Sequence, residues 1–242
     1  MKEVAPKVKL LSYTPEPEKA VATAAKLCYS DKSADDLFNI STNEEAEKFL
    51  KRLPSTHGTP LEQADFTFSI EGISRSTSHQ LVRHRLMSFN QRSQRYVSET
   101  DFNYIIPTPA IIVGGAKIID MYTRAMESSY GAYNDIVDEL IKSGMNEKQA
   151  YENARYVLPN ACETKMILKA NARELLHFFN QRCCTRAQDE IQDVADQMLR
   201  ECKKVAPVLF RDAGPFCVGG NCPEGNMSCG KSKEMREYYG SL

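Results

Sequence analysis

Ala64-Asp65-Phe66-Thr67-Phe68-Ser69-Ile70-Glu71 carries an apolar side chain at every second position and a polar one between. Successive side chains of an extended chain point to opposite faces, so this stretch predicts a strand with one buried face. Working outward, Ile73, Thr77 and Leu81 share one side of a predicted helix from Ser74 to about Leu86, and Met87 to Arg95 reads as a polar loop. A second alternation sets Thr164, Met166 and Leu168 against Lys165, Ile167 and Lys169, and predicts another strand from Glu163 to Ala170. Val8 to Tyr13 suits a further short strand.

Helices fill most of the remainder. One is expected from Pro17 to about Cys28, with Pro in the first turn where a missing N–H does no harm. A second is capped by Asn43 and runs to about Leu53, where Pro54 ends it. Asn103 to Pro109 reads as extended, because Pro107 and Pro109 discourage helix around them. The longest helix, from about Ala116 to Ser143, is striped by Ile118, Tyr122, Met126, Tyr133, Val137 and Leu140 and stopped by Gly144. Asn146 caps a shorter one ending near Pro159. Asn171 caps the last, with Glu174 as the partner of a capping box; it continues to about Val205 with a break near Thr185, and Pro207 closes it. No repeat of 20–50 residues and no low-complexity linker divides the chain. The expected fold is mixed α/β (α+β), a single domain over 1–215 with a central sheet flanked by helices, then a Cys/Gly-rich tail at 216–242.

Hydrophobic residues make up 42% and charged residues 26%, the balance of a globular protein with a core. A net charge of -1 argues against a chain that coats nucleic acid through a general basic field. Any phosphate binding must therefore be local. Met1 to Leu11 lacks an apolar run of signal-peptide length, and no later run approaches the roughly 18 residues of a membrane helix. A cytoplasmic location with mostly reduced cysteines, and no membrane partner, is the expectation.

Five basic side chains lie between Arg83 and Arg95, among polar Ser88, Asn90, Gln91, Ser93 and Gln94. Arginine forks match phosphate oxygens bidentately, and short hydroxyl and amide groups fill the remaining acceptor positions. Such a set at a helix end suits a phosphorylated ligand; a solvated basic face is the bland alternative, and a nucleic-acid-binding module the rival function.

The order of the residues favours the enzyme. Arg83-His84-Arg85-Leu86-Met87-Ser88-Phe89-Asn90-Gln91-Arg92-Ser93-Gln94-Arg95-Tyr96 resembles the signature of flavin-dependent thymidylate synthases, in which Arg-His-Arg is followed after seven residues by Ser. His57-Gly58-Thr59-Pro60-Leu61-Glu62 is similar to an upstream segment of that family. Ala154-Arg155-Tyr156-Val157-Leu158-Pro159 and Asn171-Ala172-Arg173-Glu174-Leu175-Leu176-His177 are similar to downstream ones. The resemblance implies a homotetramer with active sites at subunit interfaces. It also implies a reaction in which 5,10-methylenetetrahydrofolate gives a one-carbon unit to dUMP, NADPH-reduced FAD supplies a hydride, and dTMP and tetrahydrofolate are released. By the same resemblance Thr59, Arg83, His84, Arg85, Gln91, Asn171, Ala172, Arg173 and His177 match FAD-contacting positions. Gln80, Leu81, Val82, Arg83, Gln91, Arg92, Ser93, Gln94, Arg95, Arg155 and Arg182 match dUMP-contacting ones, and Arg182 falls where the family carries its substrate-activating arginine. Gln91 and His177 stand at positions that vary within the family.

The chemistry of these residues is coherent with the resemblance. Asn171 and Arg173 open a capped helix, whose free N–H groups and positive dipole end favour an anion. His177 lies one turn after Arg173, so both can face one ligand. Ser93 reads as a phosphate-binding hydroxyl, since no base for a nucleophile is identifiable. His79 and His84, five apart, are poorly placed as a metal pair, and neither a Walker loop nor a Gly-x-Gly-x-x-Gly run is present. In the tail, Cys217, Cys222 and Cys229 offer three thiolates where structural zinc wants four. Cys202 or a symmetry-related chain would have to add the last; free thiols in a Gly-rich tail account for the pattern without metal, and no metal is assigned.

Overall fold

The computed structural model describes residues 1–52 and 58–242; the expected end of the second helix at Leu53–Pro54, and His57, lie outside the described residues. Four strands, β1 (Lys7–Tyr13), β2 (Asp65–Ser74), β3 (Ser88–Gln91) and β4 (Glu163–Asn171), form one antiparallel sheet in the order β1-β2-β4-β3. The alternation that opened the sequence holds: Ala64, Phe66, Phe68 and Ile70 are fully buried, and Thr67 and Ser69 are partly exposed. β2 runs three residues beyond Glu71, through Gly72. Its φ is 66°, and a Cβ there would stand 2.1 Å from the Ala5 carbonyl oxygen, so only glycine fits.

The helices are α1 (Pro17–Leu27), α2 (Ala34–Ile40), α3 (Asn43–Leu50), α4 (Arg75–Leu81), α5 (Thr108–Lys142), α6 (Glu147–Ala154), α7 (Ala172–Arg182), α8 (Asp189–Val205), α9 (Phe216–Gly219) and α10 (Ser232–Ser241). Four expectations are corrected. The cap of α3 is Thr42, which forms a capping box with Glu45, and Asn43 is the first helical residue. α4 stops at Leu81 rather than Leu86, so Arg83-His84-Arg85 lies on a turn beyond the helix. The polar loop after it contains edge strand β3, whose Ser-Phe-Asn-Gln sequence has no buried face to betray it. Pro109 sits in the first turn of α5, where it is tolerated, and the helix kinks at Gly115 (φ 54°) before the predicted stripe begins.

The chain forms two compact units. The first comprises 1–7, 70–83 and 90–167; the second comprises 8–69, 84–89 and 168–242. In the first, Phe102, Tyr104, Ile106, Met126 and Cys162 make one apolar cluster, and Tyr133 and Val137 of α5 pack with Ala150 and Ala154 of α6 in another. In the second, α8 buries Ile191, Val194, Ala195, Met198, Leu199 and Cys202, a continuous helical face. Phe66, Phe179 and Phe210 meet edge to face there, with Phe210 centroids 5.3 Å from Phe66 and 5.9 Å from Phe179. Tyr239 of α10 is buried, its hydroxyl 2.8 Å from both the Cys183 carbonyl and Asp196 Oδ1, and this anchors the C-terminus.

Candidate active site

The expected site residues divide between the two units. In the second, α7 begins where Asn171, extended at ψ 166°, accepts a 2.9 Å hydrogen bond from the Glu174 N–H. Glu174, expected to close a capping box from its side chain, instead turns its carboxylate inward. It is 6% exposed, and its Oε1 lies 3.6 Å from His84 Nδ1. On the other side of that imidazole, Arg182 Nε donates to His84 Nε2 at 3.1 Å. Phe178 closes the ring's edge at 5.0 Å between centroids.

These contacts fix the protonation of His84. Burial first, then the Arg182 charge and His177, pushes its pKa down to about 4, so the ring is neutral at pH 7 and does not form an ion pair with Glu174. A guanidinium only donates, so Nε2 carries the lone pair and the single proton sits on Nδ1, facing Glu174. Burial raises the Glu174 carboxyl, partly offset by His177, and lowers Arg182. Among the described residues the two terminal nitrogens of Arg182 have no hydrogen-bond partner. A preorganised cation therefore presents two terminal nitrogens with four unused N–H donors.

Around this cluster, Arg173 pairs with Glu62 at 2.5 Å, and its guanidinium passes so close over Gly58 that a Cβ there would meet Arg173 Nε at 3.0 Å. Thr59 opens the short 3-10 turn that carries Glu62. His177 takes the position expected one turn after Arg173, with Gln181 Nε2 3.0 Å from its Nε2. Ala172 is buried, and Arg85 is exposed.

In the first unit, Gln80, Leu81, Val82 and Arg83 form the end of α4 and its cap, with Leu81 buried and Arg83 exposed. Gln91 Nε2 donates to Thr164 Oγ1 at 3.0 Å, and Gln94 Nε2 lies 3.7 Å from Cys162 Sγ. Arg92 pairs at 2.5 Å with Glu99, whose buried carboxyl is pushed up to about 7 by desolvation against the pull of Arg92. Arg95 pairs at 3.1 Å with Glu152, and its N–H donates to Ser93 Oγ at 3.2 Å. Arg155 follows directly on α6, the helix that carries Glu152. The Nε atoms of Arg92 and Arg95 are shielded from solvent without a partner. An unmet buried donor costs about 1–3 kcal/mol, which an anion bound beside it would relieve.

Sequence reasoning missed the carboxylates. Glu62, Glu99, Glu152 and Glu174 each hold a cationic or imidazole residue of the expected set, and only Glu174 carried a signal, as a capping residue. Cys202, weighed from the sequence as a fourth ligand for the tail thiols, is fully buried on α8, whereas Cys184 lines a cavity with Cys217, Cys222 and Cys229. Among the described residues no helix is long and apolar enough to cross a membrane.

The profile of the family described as "Thymidylate synthase complementing protein" matches residues 9–208. A flavin-dependent thymidylate synthase from Clostridium tetani is 53% identical over 242 residues, covering 96% of each chain. One from Geobacter sulfurreducens is 47% identical over 234 residues, covering 96% of this chain and 97% of that one. Among solved structures, a UMP/dUMP methylase, PolB, from Streptomyces cacaoi bound with 5-Br dUMP superposes with a TM-score of 0.72 at 25% identity, covering 86% of this chain and 94% of that one.

Proposed function

The chain belongs to the family of flavin-dependent thymidylate synthases, and from that premise we propose how its residues share the conversion of dUMP to dTMP. The observation that carries the proposal is Arg182, fixed through Nε by a neutral, buried His84, with both terminal nitrogens free of partners among the described residues. Those nitrogens donate to a uracil carbonyl and stabilise negative charge as N3 loses its proton, which makes the ring more nucleophilic at C5. A cation already oriented in a partly dry site costs no reorganisation at the moment of reaction. It therefore acts where charge develops.

Arg95 and Arg155 clamp the phosphate of dUMP, with the unsatisfied Arg95 Nε and the Ser93 hydroxyl as further contacts. Gln91, Arg92 and Gln94 are held by Thr164, Glu99 and Cys162 and shape the surroundings of the substrate. Both arginines of the cluster that follow β3, Arg92 and Arg95, are thus paired with carboxylates, which weakens the reading as a nucleic-acid-binding face.

The residues present also fit FAD. The N-terminus of α7, Arg173 lying over Gly58, Thr59 and His177 supply N–H donors, positive charge and a hydroxyl suited to a diphosphate. Arg83 and Arg85, both exposed, join the same contact set. When bound and reduced by NADPH, the flavin supplies the hydride that completes the methyl group built from 5,10-methylenetetrahydrofolate. Assembly as a homotetramer completes the proposal, with active sites at subunit interfaces.

Purified protein should be yellow, and dUMP should perturb its oxidised-flavin absorption in the absence of any turnover. Colourless protein that FAD cannot reconstitute would sink this reading.

A further inference from the structure

Half of the eight cysteines face one cavity of the second unit, a space of about 210 Å³. Cys184 comes from the bend after α7, Cys217 from α9, and Cys222 and Cys229 from either side of the 3-10 turn Gly225–Met227. The reaction described above uses none of them. All eight are free thiols, so no disulfide holds this region.

The segment that carries Cys222 and Cys229 has no core of its own and is tied at its edges, by the Arg186–Glu224 ion pair and by Arg236 donating to the Gly220 carbonyl. From Val218 to Gly230 no residue is buried, and the run contains Gly219, Gly220, Pro223, Gly225 and Gly230. Short Gly- and Pro-rich segments without a core of their own are commonly fixed by cross-links or metal ions. The donor chemistry is also selective. Glu224, the carboxylate among the lining residues, is engaged by Arg186, which leaves sulfur as the available ligand type. Four thiolates suit zinc or an iron–sulfur cluster, and disfavour magnesium or calcium.

We propose that Cys184, Cys217, Cys222 and Cys229 are the ligands of a thiolate-bound metal centre that fastens the C-terminal tail to the end of α7. As folded, no three His, Cys, Asp or Glu among the described residues are grouped tightly enough to hold a single ion. Binding one zinc therefore draws the two bends inward. A polynuclear iron–sulfur core, whose ligands stand farther apart, needs less movement. Either way the four thiols release their protons to solvent as the thiolates bind. Because Cys184 lies two residues after Arg182, the centre would steady the helix end that carries the activating residue.

The test is metal analysis of the full-length chain, purified anaerobically with a reductant, for zinc, iron and acid-labile sulfide. The expected result is about one zinc per chain, or iron and sulfide in equal amounts. The first outcome identifies a mononuclear site and the second a cluster. In the Cys217→Ser/Cys229→Ser variant the bound metal should fall at least about tenfold while flavin content stays at the native level. Should that variant fail to fold, maleimide labelling of the native chain decides: a chelator should expose about four additional thiols. The proposal is overturned by less than about one metal per ten chains, both as purified and after incubation with Zn²⁺ or with Fe²⁺ and sulfide. Labelling that a chelator does not change would overturn it equally.

Discussion

At neutral pH the His84 ring is uncharged, and that makes it useful to Arg182. An imidazolium would repel the guanidinium and lose the lone pair that accepts its Nε–H. Replacing His84 with alanine should leave flavin bound but lower kcat by about 10²-fold, the scale of a misplaced catalytic group. His84→Gln, whose amide oxygen can accept the same bond, should recover part of that loss; equal kcat for the two variants would show that the ring only fills space. The pH dependence of stability has a definite sign. The folded pKa of about 4 lies below the ordinary 6.5, so the unfolded chain takes up the proton first as pH falls. Stability from this site is complete above pH 6.5 and declines toward pH 4, by on the order of 3 kcal/mol. Denaturant unfolding across that range should show a shallower slope for His84→Gln than for the native chain. Of this cluster, the sequence showed Arg182 and His84 only through resemblance to a family motif. Their direct bond spans 98 positions and leaves no local pattern.

At the scale of elements, what was legible follows from periodicity. β2 and β4 announced themselves because each has one wet and one dry face, and α5 because its apolar stripe runs for several turns. β3 and α2 escaped because each is short and buries little. The overrun of α4 to Leu86 has a similar origin. Nothing in Val82 to Leu86 forbids helix, and the chain leaves it to form a turn in which the Met87 N–H donates to the His84 carbonyl. That turn carries the Arg-His-Arg signature, so the misplaced boundary fell on functional residues. Gly72 is a sharper case, invisible as a requirement until the N-terminal segment is seen crossing it. Gly72→Ala combines a left-handed φ with a Cβ pressed on the Ala5 carbonyl. It should cost at least ~2 kcal/mol in equilibrium unfolding. A cost below ~0.5 kcal/mol would mean that the N-terminal segment readily moves away.

At the scale of the whole molecule, the substrate-matching residues fall mostly in the first unit and the flavin-matching ones mostly in the second. Arg182 is the exception. It belongs to the second unit yet is assigned to dUMP, so the account stands or falls on its role. The most direct measurement is release of tritium from C5-labelled dUMP in the presence of NADPH and 5,10-methylenetetrahydrofolate, with flavin content read on the same samples. The native chain should release tritium, and Arg182→Ala should keep its flavin while release falls by about 10²–10³-fold. Near-native release from Arg182→Ala, or none from a native chain loaded with flavin, would contradict the account.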